Sequence, residues 1–229
     1  MSEQIWSAVD NYLNELVVRP HKTLEAATRA STDAGLPAIA VSASQGKLLH
    51  ILARLQNARK ILEIGTLGGY STIWLASALK EDGKLVSLDI DERHQKVAAT
   101  NIAHAGLSAL VELRLGSALD LLPHLHEEGA GPFDLIFIDA DKERIPEYFL
   151  WSLKLARTGT LIIVDNVVRK GEVIDATSEN TSVHGVRRFN ELLATEKRVT
   201  ATTIQTVGSK GYDGMTLAYV LSVEASDQA

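Results

Sequence analysis

The sequence predicts a doubly wound α/β fold of the Rossmann-like kind, on three observations. Apolar runs of strand length, bounded by turn residues, alternate with stretches of helical period, the pattern of βαβ units and a parallel sheet buried on both faces. A glycine-rich turn, EIGTLGGYST (63–72), joins the first such run to the next helical stretch, at the edge where open parallel sheets bind ligands. The second, fourth and fifth runs each carry an aspartate at or next to their end, Asp89, Asp139 and Asp165.

The strand candidates are KILEI (60–64), KLVSLDI (84–90), ALVELRL (109–115), FDLIFID (133–139), TLIIVD (160–165), RVTATTIQ (198–205) and MTLAYVLS (215–222). Between them, STIWLASALK (71–80) places Ile73, Trp74 and Ala76 near one face at helical spacing, with Leu79 or Ala78 completing it. ERHQKVAATNIAHAG (92–106) directs Val97, Ile102 and Ala105 inward and stops at Gly106, a natural C-cap. Helices are also expected in SALDLLPHLHE (117–127), IPEYFLWSLKLA (145–156) and VHGVRRFNELLATE (183–196). Ahead of the sheet, IWSAVDNYLNELV, KTLEAATRASTDAG and SASQGKLLHILARL form an N-terminal helical layer. The last two strands are separated by about ten residues including VGSKGYDG, too few for the dozen or more of a parallel crossover. The final strand is therefore expected to be antiparallel, in a seven-stranded mixed sheet. With no repeat and no linker, residues 1–229 are expected to be one domain, 1–58 the helical layer and 59–222 the α/β core.

Composition narrows the function classes. The net charge of −6 is not that of a duplex binder, which carries a basic face against phosphates, and a nucleic-acid partner is not expected. The absence of cysteine excludes disulfides, thiolate nucleophiles and thiolate zinc sites. The stretch MSEQIWSAVDNYLNEL carries acids where an export signal has lysine or arginine, and no run approaches the ~20 apolar residues of a membrane span. The expectation is a cytoplasmic protein with no membrane partner.

In the glycine turn, Gly65 is followed by Thr66 and Leu67, so the G-x-G-x-x-G of dinucleotide binding is missing. By itself the turn reads equally as a tight strand–helix connection. Asp89 adds a second feature. It ends the second strand about two dozen residues on, where an acid grips ribose hydroxyls in nucleotide-binding α/β folds. An adenosyl ligand without a pyrophosphate needs that acid and not the phosphate seat. The alternative is an acid at a helix start, since Asp91 and Glu92 also open the next helix.

Asp139 and Asp165, the latter followed by Asn166, would converge if their strands are neighbours. Carboxylate and amide oxygens are hard ligands suited to magnesium, calcium or manganese. The alternative is that each acid caps the helix after it. Lys142 follows Asp139 closely and is a candidate proton acceptor for a metal-activated hydroxyl; otherwise it is a lysine at an exposed helix start.

Taken together, EIGTLGGYST, SLDID, LRLGSALDLLP, FDLIFIDADK and VDNVVRKGEV, with LPAIAVSASQGKLL before and VGSKGYDG after them, resemble the metal-dependent O-methyltransferases. That class contains the caffeoyl-CoA and catechol enzymes, and the likeness is closest to its small bacterial members. The resemblance implies the Rossmann-like methyltransferase fold, S-adenosylmethionine and Mg2+ (or Ca2+ or Mn2+) as cofactors, and commonly a homodimer. It implies that Glu63, Gly65, Thr66 and Ser71 lie around the cofactor's amino-acid end, Asp89 at its ribose and Ala118 at its adenine. Val41 would touch it from the helical layer and Asp141 at its methionine portion. Asp139, Asp165 and Asn166 would ligate the metal, with Asp139 and Lys142 as the catalytic pair and Lys142 matching the general base of the catechol enzymes. Tyr148 falls where the plant enzymes place a substrate contact, and Lys170 stands where those enzymes carry a substrate-contacting asparagine. That replacement, and a VSASQG segment without the plant enzymes' acidic pair, point away from a coenzyme A thioester and toward a small hydroxylated aromatic acceptor.

The expected reaction is methyl transfer to a hydroxyl of a catechol-like or phenolic acceptor. Methylation of a hydroxylated tRNA base, an NAD-dependent oxidoreductase and a non-catalytic nucleotide-binding module are the alternatives. His21, Lys22, Arg169, Lys170 and His184 are candidates to border the acceptor site, each equally readable as solvated surface. The apolar residues Ile5, Trp6, Val9, Leu13 and Leu16 of the first helix would either join a dimer interface or pack on their own subunit.

Overall fold

The computed structural model describes residues 3–223. Three helices come first, α1 (Glu3–Leu13), α2 (Lys22–Asp33) and α3 (Ala43–Leu55). The α/β part then runs β1 (Lys60–Ile64), α4 (Tyr70–Ala76), β2 (Lys84–Asp89), α5 (Glu92–His104), β3 (Val111–Leu115), α6 (Ala118–Glu127), β4 (Phe133–Ile138), α7 (Ile145–Lys154), β5 (Ala156–Asp165), α8 (Thr181–Thr195), β6 (Val199–Gly208) and β7 (Gly211–Val220). All seven strands make one sheet in the order β3-β2-β1-β4-β5-β7-β6. The first five are parallel. β7 runs antiparallel to both its neighbours, β5 and β6. From β1 the chain winds outward to β3 and returns as β4 on β1's other side, so the switch point that positions a ligand lies between β1 and β4.

The period of two along each strand divides the core. Leu62, Ile64, Val86, Leu88, Ile136, Ile138, Ile162 and Val164 face one layer, packed by Leu122 and Leu125 of α6, Phe149 of α7 and Phe189 of α8. Ile61, Leu85, Leu135, Phe137 and Ile163 face the other, where α3 and α4 bring Leu49, Ala53 and Leu75. α2 and α5 extend this second layer around Trp74. This parity has a functional consequence: Glu63, Asp139 and Asp165 share the second set's register and lean to the same side of the sheet.

Several boundaries differ from the sequence reading. The last two strands are joined by a two-residue turn, Ser209-Lys210, and not by about ten residues. VGSKGYDG reads as loop because glycine, serine and aspartate are poor strand formers, yet the ladder runs through it, pairing Val207 with Tyr212 and Gln205 with Gly214. β5 starts at Ala156, earlier than expected. α4 ends at Ala76, short of residue 80, where the Ser77 hydroxyl donates back to the Trp74 carbonyl. In α5 the fully buried face is Ala98, Asn101 and Ile102, with Val97 and Ala105 at its margin. The helical layer is present, but α1 buries no residue; Ile5, Val9, Leu13 and Leu16 are exposed and Trp6 is half-buried. Among the described residues no helix is long and apolar enough to cross a membrane.

Candidate active site

A cavity of about 1040 Å³ opens along the carboxyl ends of the strands. It lies at the top of the usual size range for ligand pockets, enough for a nucleoside and a second small molecule. Its wall joins residues far apart in sequence: Val41 before α3, Gly65, Thr66 and Ser71 after β1, Asp89 and His94 after β2, Ser117 and Ala118 after β3, Asp139, Asp141, Lys142 and Tyr148 after β4, and Asn166 and Arg169 after β5.

At the β1–β3 end, the strand-tip carboxylate and the glycine turn are held by hydrogen bonds. Asp89 Oδ2 accepts from the backbone N–H of Thr66 (3.1 Å) and Leu67 (2.8 Å). Its Oδ1 accepts from the Asp91 N–H (2.9 Å) and meets His94 Nδ1 at 3.2 Å. Asp91 itself caps α5 through the N–H groups of Arg93 and His94. Gly65 is in left-handed backbone conformation, and a side chain there would meet the Asp139 carbonyl at 2.2 Å. The glycine thus lets β1 and β4 close together at the switch point, a use different from backbone approach to a ligand. From α5, the Asn101 amide donates to the Gly68 carbonyl at 2.9 Å and holds the turn from behind. On the N-terminal side, Ser42 and Gln45 form a reciprocal cap at the start of α3, which fixes Val41 against the cavity.

Glu63 does not reach the cavity wall. Its parity turns it under α4, where it is completely buried and accepts hydroxyl hydrogen bonds from Ser71 (2.6 Å), Thr72 (2.5 Å) and Ser87 (2.7 Å). Burial pushes its carboxyl up to about 7 despite these donors. Ser71 is the member of this group that faces the cavity.

The β4–β5 end is built differently. The register pairs Ile138 with Val164, so Asp139 and Asp165 follow at adjacent strand tips. Asp165 is 2% exposed, behind the wall. Burial first, and then the charge of Asp139, holds its carboxyl well above the usual carboxylate range, with Lys142 opposing. The Asn166 N–H donates to Asp165 Oδ1 at 2.8 Å, and Asn166 sits on the cavity wall in left-handed conformation, φ 60°. Lys142 Nζ donates to Asp139 Oδ1 at 2.7 Å, its side chain 10% exposed. The Tyr148 hydroxyl donates to Asp141 Oδ1 at 2.5 Å, and burial together with that carboxylate raises the phenol. Among the described residues no three histidine, cysteine or carboxylate side chains gather as a metal cluster; the set here is two carboxylates and an amide. Two neighbouring carboxylates, Asp165 buried and Asp139 partly exposed, share one nearby lysine, and hard oxygen donors of this kind fit a divalent cation.

The structure therefore brings Val41, Gly65, Thr66, Ser71, Asp89, Ala118, Asp139, Asp141, Lys142, Tyr148 and Asn166 to one cavity. It sets Glu63 and Asp165 just behind the wall, and Lys170 outside it, exposed. Of the five candidate bordering residues, Arg169 lines the cavity; His21, Lys22, Lys170 and His184 do not. His94 and Asn101 were missed. Their only signal was position on the inward side of α5, a face that the apolar pattern placed elsewhere.

A switch-point cavity with a carboxylate at the nucleoside end and an oxygen-donor cluster at the other has the layout of a Rossmann-like methyltransferase. The family model described as O-methyltransferase matches residues 14–221, and the chain belongs to that family. The chain is 53% identical to a catechol O-methyltransferase of Niastella koreensis, over 96% of its own length and 100% of that protein. It is 47% identical to a catechol O-methyltransferase of Mycobacterium tuberculosis, over 93% and 94%. The solved O-methyltransferase of Bacillus cereus in complex with SAH superposes with a TM-score of 0.94 at 53% identity, covering 96% of this chain and 100% of that one. Family membership removes the oxidoreductase and the non-catalytic readings.

Proposed function

We propose that the chain transfers a methyl group from S-adenosylmethionine to a hydroxyl of a small catechol-like or phenolic acceptor, with help from a divalent cation. The observation that carries this is the placement of Asp139, Asn166 and Lys142 on the cavity that also holds Asp89, with Asp165 at the adjacent strand tip just behind its wall. The names of the two curated relatives support the acceptor class, and the SAH-bound relative supports the cofactor.

In this reading S-adenosylmethionine supplies the sulfonium methyl, and a cation held by Asp139, Asp165 and Asn166 lowers the pKa of the acceptor hydroxyl. The chain's own residues do the positioning, which is worth several kcal/mol of barrier. Asp89 presents a carboxylate fixed by three backbone N–H groups to the ribose; its long His94 contact is the one a ribose hydroxyl replaces. Ala118 and Val41 give apolar contact, and Ser71, held by Glu63, faces the amino-acid end. Tyr148 orients Asp141 through their hydrogen bond. Lys142 is the side chain placed to receive the acceptor's hydroxyl proton, with Asp139 holding its Nζ in place. The exposed apolar face of α1 supports a homodimer formed through this helix, which light scattering coupled to size exclusion tests directly.

The test is formation of S-adenosylhomocysteine from S-adenosylmethionine with catechols, flavonoids and hydroxycinnamates, after chelation and again with Mg2+ restored. Methylated product that depends on restored cation is the expected result. Equal product in chelator, or none with any hydroxylated aromatic, overturns the reading.

A further inference from the structure

Three residues beyond Asn166, on the same loop, Arg169 lines the cavity near its β4–β5 end. Among the described residues its side chain makes no hydrogen bond. Nε is buried without a partner, and its one ion pair, NH1 to Asp213 Oδ2, is 3.9 Å long. A guanidinium has five donors, and leaving a buried one unmatched costs free energy. Asp213 Oδ1 already accepts the backbone N–H groups of Val168, Arg169 and Gly214, each at 2.9 Å, and only Oδ2 approaches the guanidinium, at 3.9 Å.

The backbone is held in this arrangement at a cost. Arg169 and Lys170 both adopt left-handed conformation, φ 54° and 56°, which non-glycine residues avoid. Gly214 permits it from the other side, since a side chain there would meet Val168 Cγ2 at 2.4 Å. Other charged groups at this end are engaged or outside. Lys142 is bonded to Asp139. Glu143 accepts from the Thr181 hydroxyl. Arg144 lies at the rim, 59% exposed, near Asp141. The result is a strained loop, clamped by Asp213, that brings to the cavity wall an arginine whose Nε is unmatched and whose ion pair is long.

We propose that Arg169 sets acceptor specificity by binding a carboxylate on the acceptor, so that the preferred acceptors are ring-hydroxylated aromatic acids and not neutral catechols. This rests on the O-methylation reading above and adds the acceptor's charge to it. An arginine and a carboxylate form charge-assisted, often bidentate hydrogen bonds. A site with unmatched donors rejects an analogue that lacks the matching group.

The experiment compares 3,4-dihydroxybenzoate with neutral 3,4-dihydroxybenzaldehyde as acceptors, for the wild type, Arg169→Gln and Arg169→Lys. Initial rates with Mg2+ are paired with calorimetric titration of each acceptor into the protein saturated with S-adenosylhomocysteine. The expected result is that Arg169→Gln raises KM and Kd for the acid by about 10-fold to 100-fold. Its kcat, and all constants for the aldehyde, should change less than about threefold, and Arg169→Lys should recover part of the loss. If the wild type does not prefer the acid, or if Arg169→Gln affects both acceptors equally, the arginine is structural and the proposal is wrong while the O-methylation reading stands. If the wild type methylates neither acceptor nor any other hydroxylated aromatic, that reading falls and this proposal falls with it.

Discussion

The two ends of the cavity are built from the same kind of element, a strand tip leading into a turn, yet they differ in how well their polar groups are matched. At the β1–β3 end, Asp89 receives three backbone N–H groups and an imidazole, and Glu63 receives three hydroxyls. At the β4–β5 end, two carboxylates sit side by side with one lysine, the Arg169 Nε is buried without a partner, and Asn166, Arg169 and Lys170 hold left-handed backbone. One end is a finished receptor. The other is less fully matched: Lys142 alone serves the Asp139 and Asp165 carboxylates, and Arg169 has only a long ion pair to Asp213. The proposed cation and the proposed acceptor carboxylate would each complete a part of this less matched end.

The sharpest way to break this contrast is Asp165→Asn. The amide keeps the oxygen that accepts the Asn166 N–H but removes a buried charge. Methyl transfer should fall by about 1,000-fold or more, the several kcal/mol that a metal site contributes. In chelator the variant should be more heat-stable than the wild type at pH 8, because the like-charge pair is gone. A variant with near wild-type activity, or one destabilised in chelator, removes the case for a frustrated metal-type pair.

Glu63→Gln probes the finished end next. The carboxyl of Glu63 rises from its usual range to about 7 in the folded protein. An acid raised by folding favours the folded state below its unfolded pKa and loses that contribution as pH climbs through its folded pKa. Wild-type stability should therefore decline between pH 5 and pH 8, by about 3 kcal/mol from this group alone. The glutamine variant should show a flatter profile in denaturant titrations. Parallel pH profiles would mean that the hydroxyl donors keep Glu63 ionised throughout at no net cost.

Asp213 tests whether the strained loop is held from β7. Asp213→Ala leaves three backbone N–H groups without their acceptor and should cost about 1–3 kcal/mol of stability. It should raise the acceptor KM more than the cofactor KM, since it frees the loop of Asn166 and Arg169. Asp213→Asn keeps an accepting oxygen and should restore most of both. An equal rise in the two KM values would place Asp213 in general stability instead.

What the sequence made legible follows the same division. Strand-end positions were readable, because continuous apolar runs stop where the sheet ends. Asp89, Asp139 and Asp165 therefore sit where their run ends place them. The side chain's facing was harder. Glu63 is one residue before a strand end, and a period of two turns it under α4 and away from the crevice. Arg169 and Lys170 are adjacent and chemically alike, so only the left-handed kink decides which of them turns inward. The hairpin was misjudged because Gly214 and Asp213 read as turn residues. Their composition reflects what they do for the neighbouring loop, a close approach and an anchor, and not their own strand geometry.

The smallest predicted effect concerns His94, whose imidazole meets Asp89 at 3.2 Å. If backbone donors fix Asp89, the imidazole adds little to its orientation. His94→Ala should then change the dissociation constant of S-adenosylhomocysteine by no more than about threefold, within the modest range of partly exposed ion pairs. Asp89→Ala should weaken the same binding far more, because it removes the proposed ribose acceptor and releases the Thr66 and Leu67 N–H groups together. Calorimetry on both variants separates the two possibilities. A loss above about tenfold for His94→Ala would mean that the histidine, and not the glycine turn, holds the carboxylate. The nucleoside end would then be less finished than its hydrogen bonds indicate, and the contrast between the two ends would narrow.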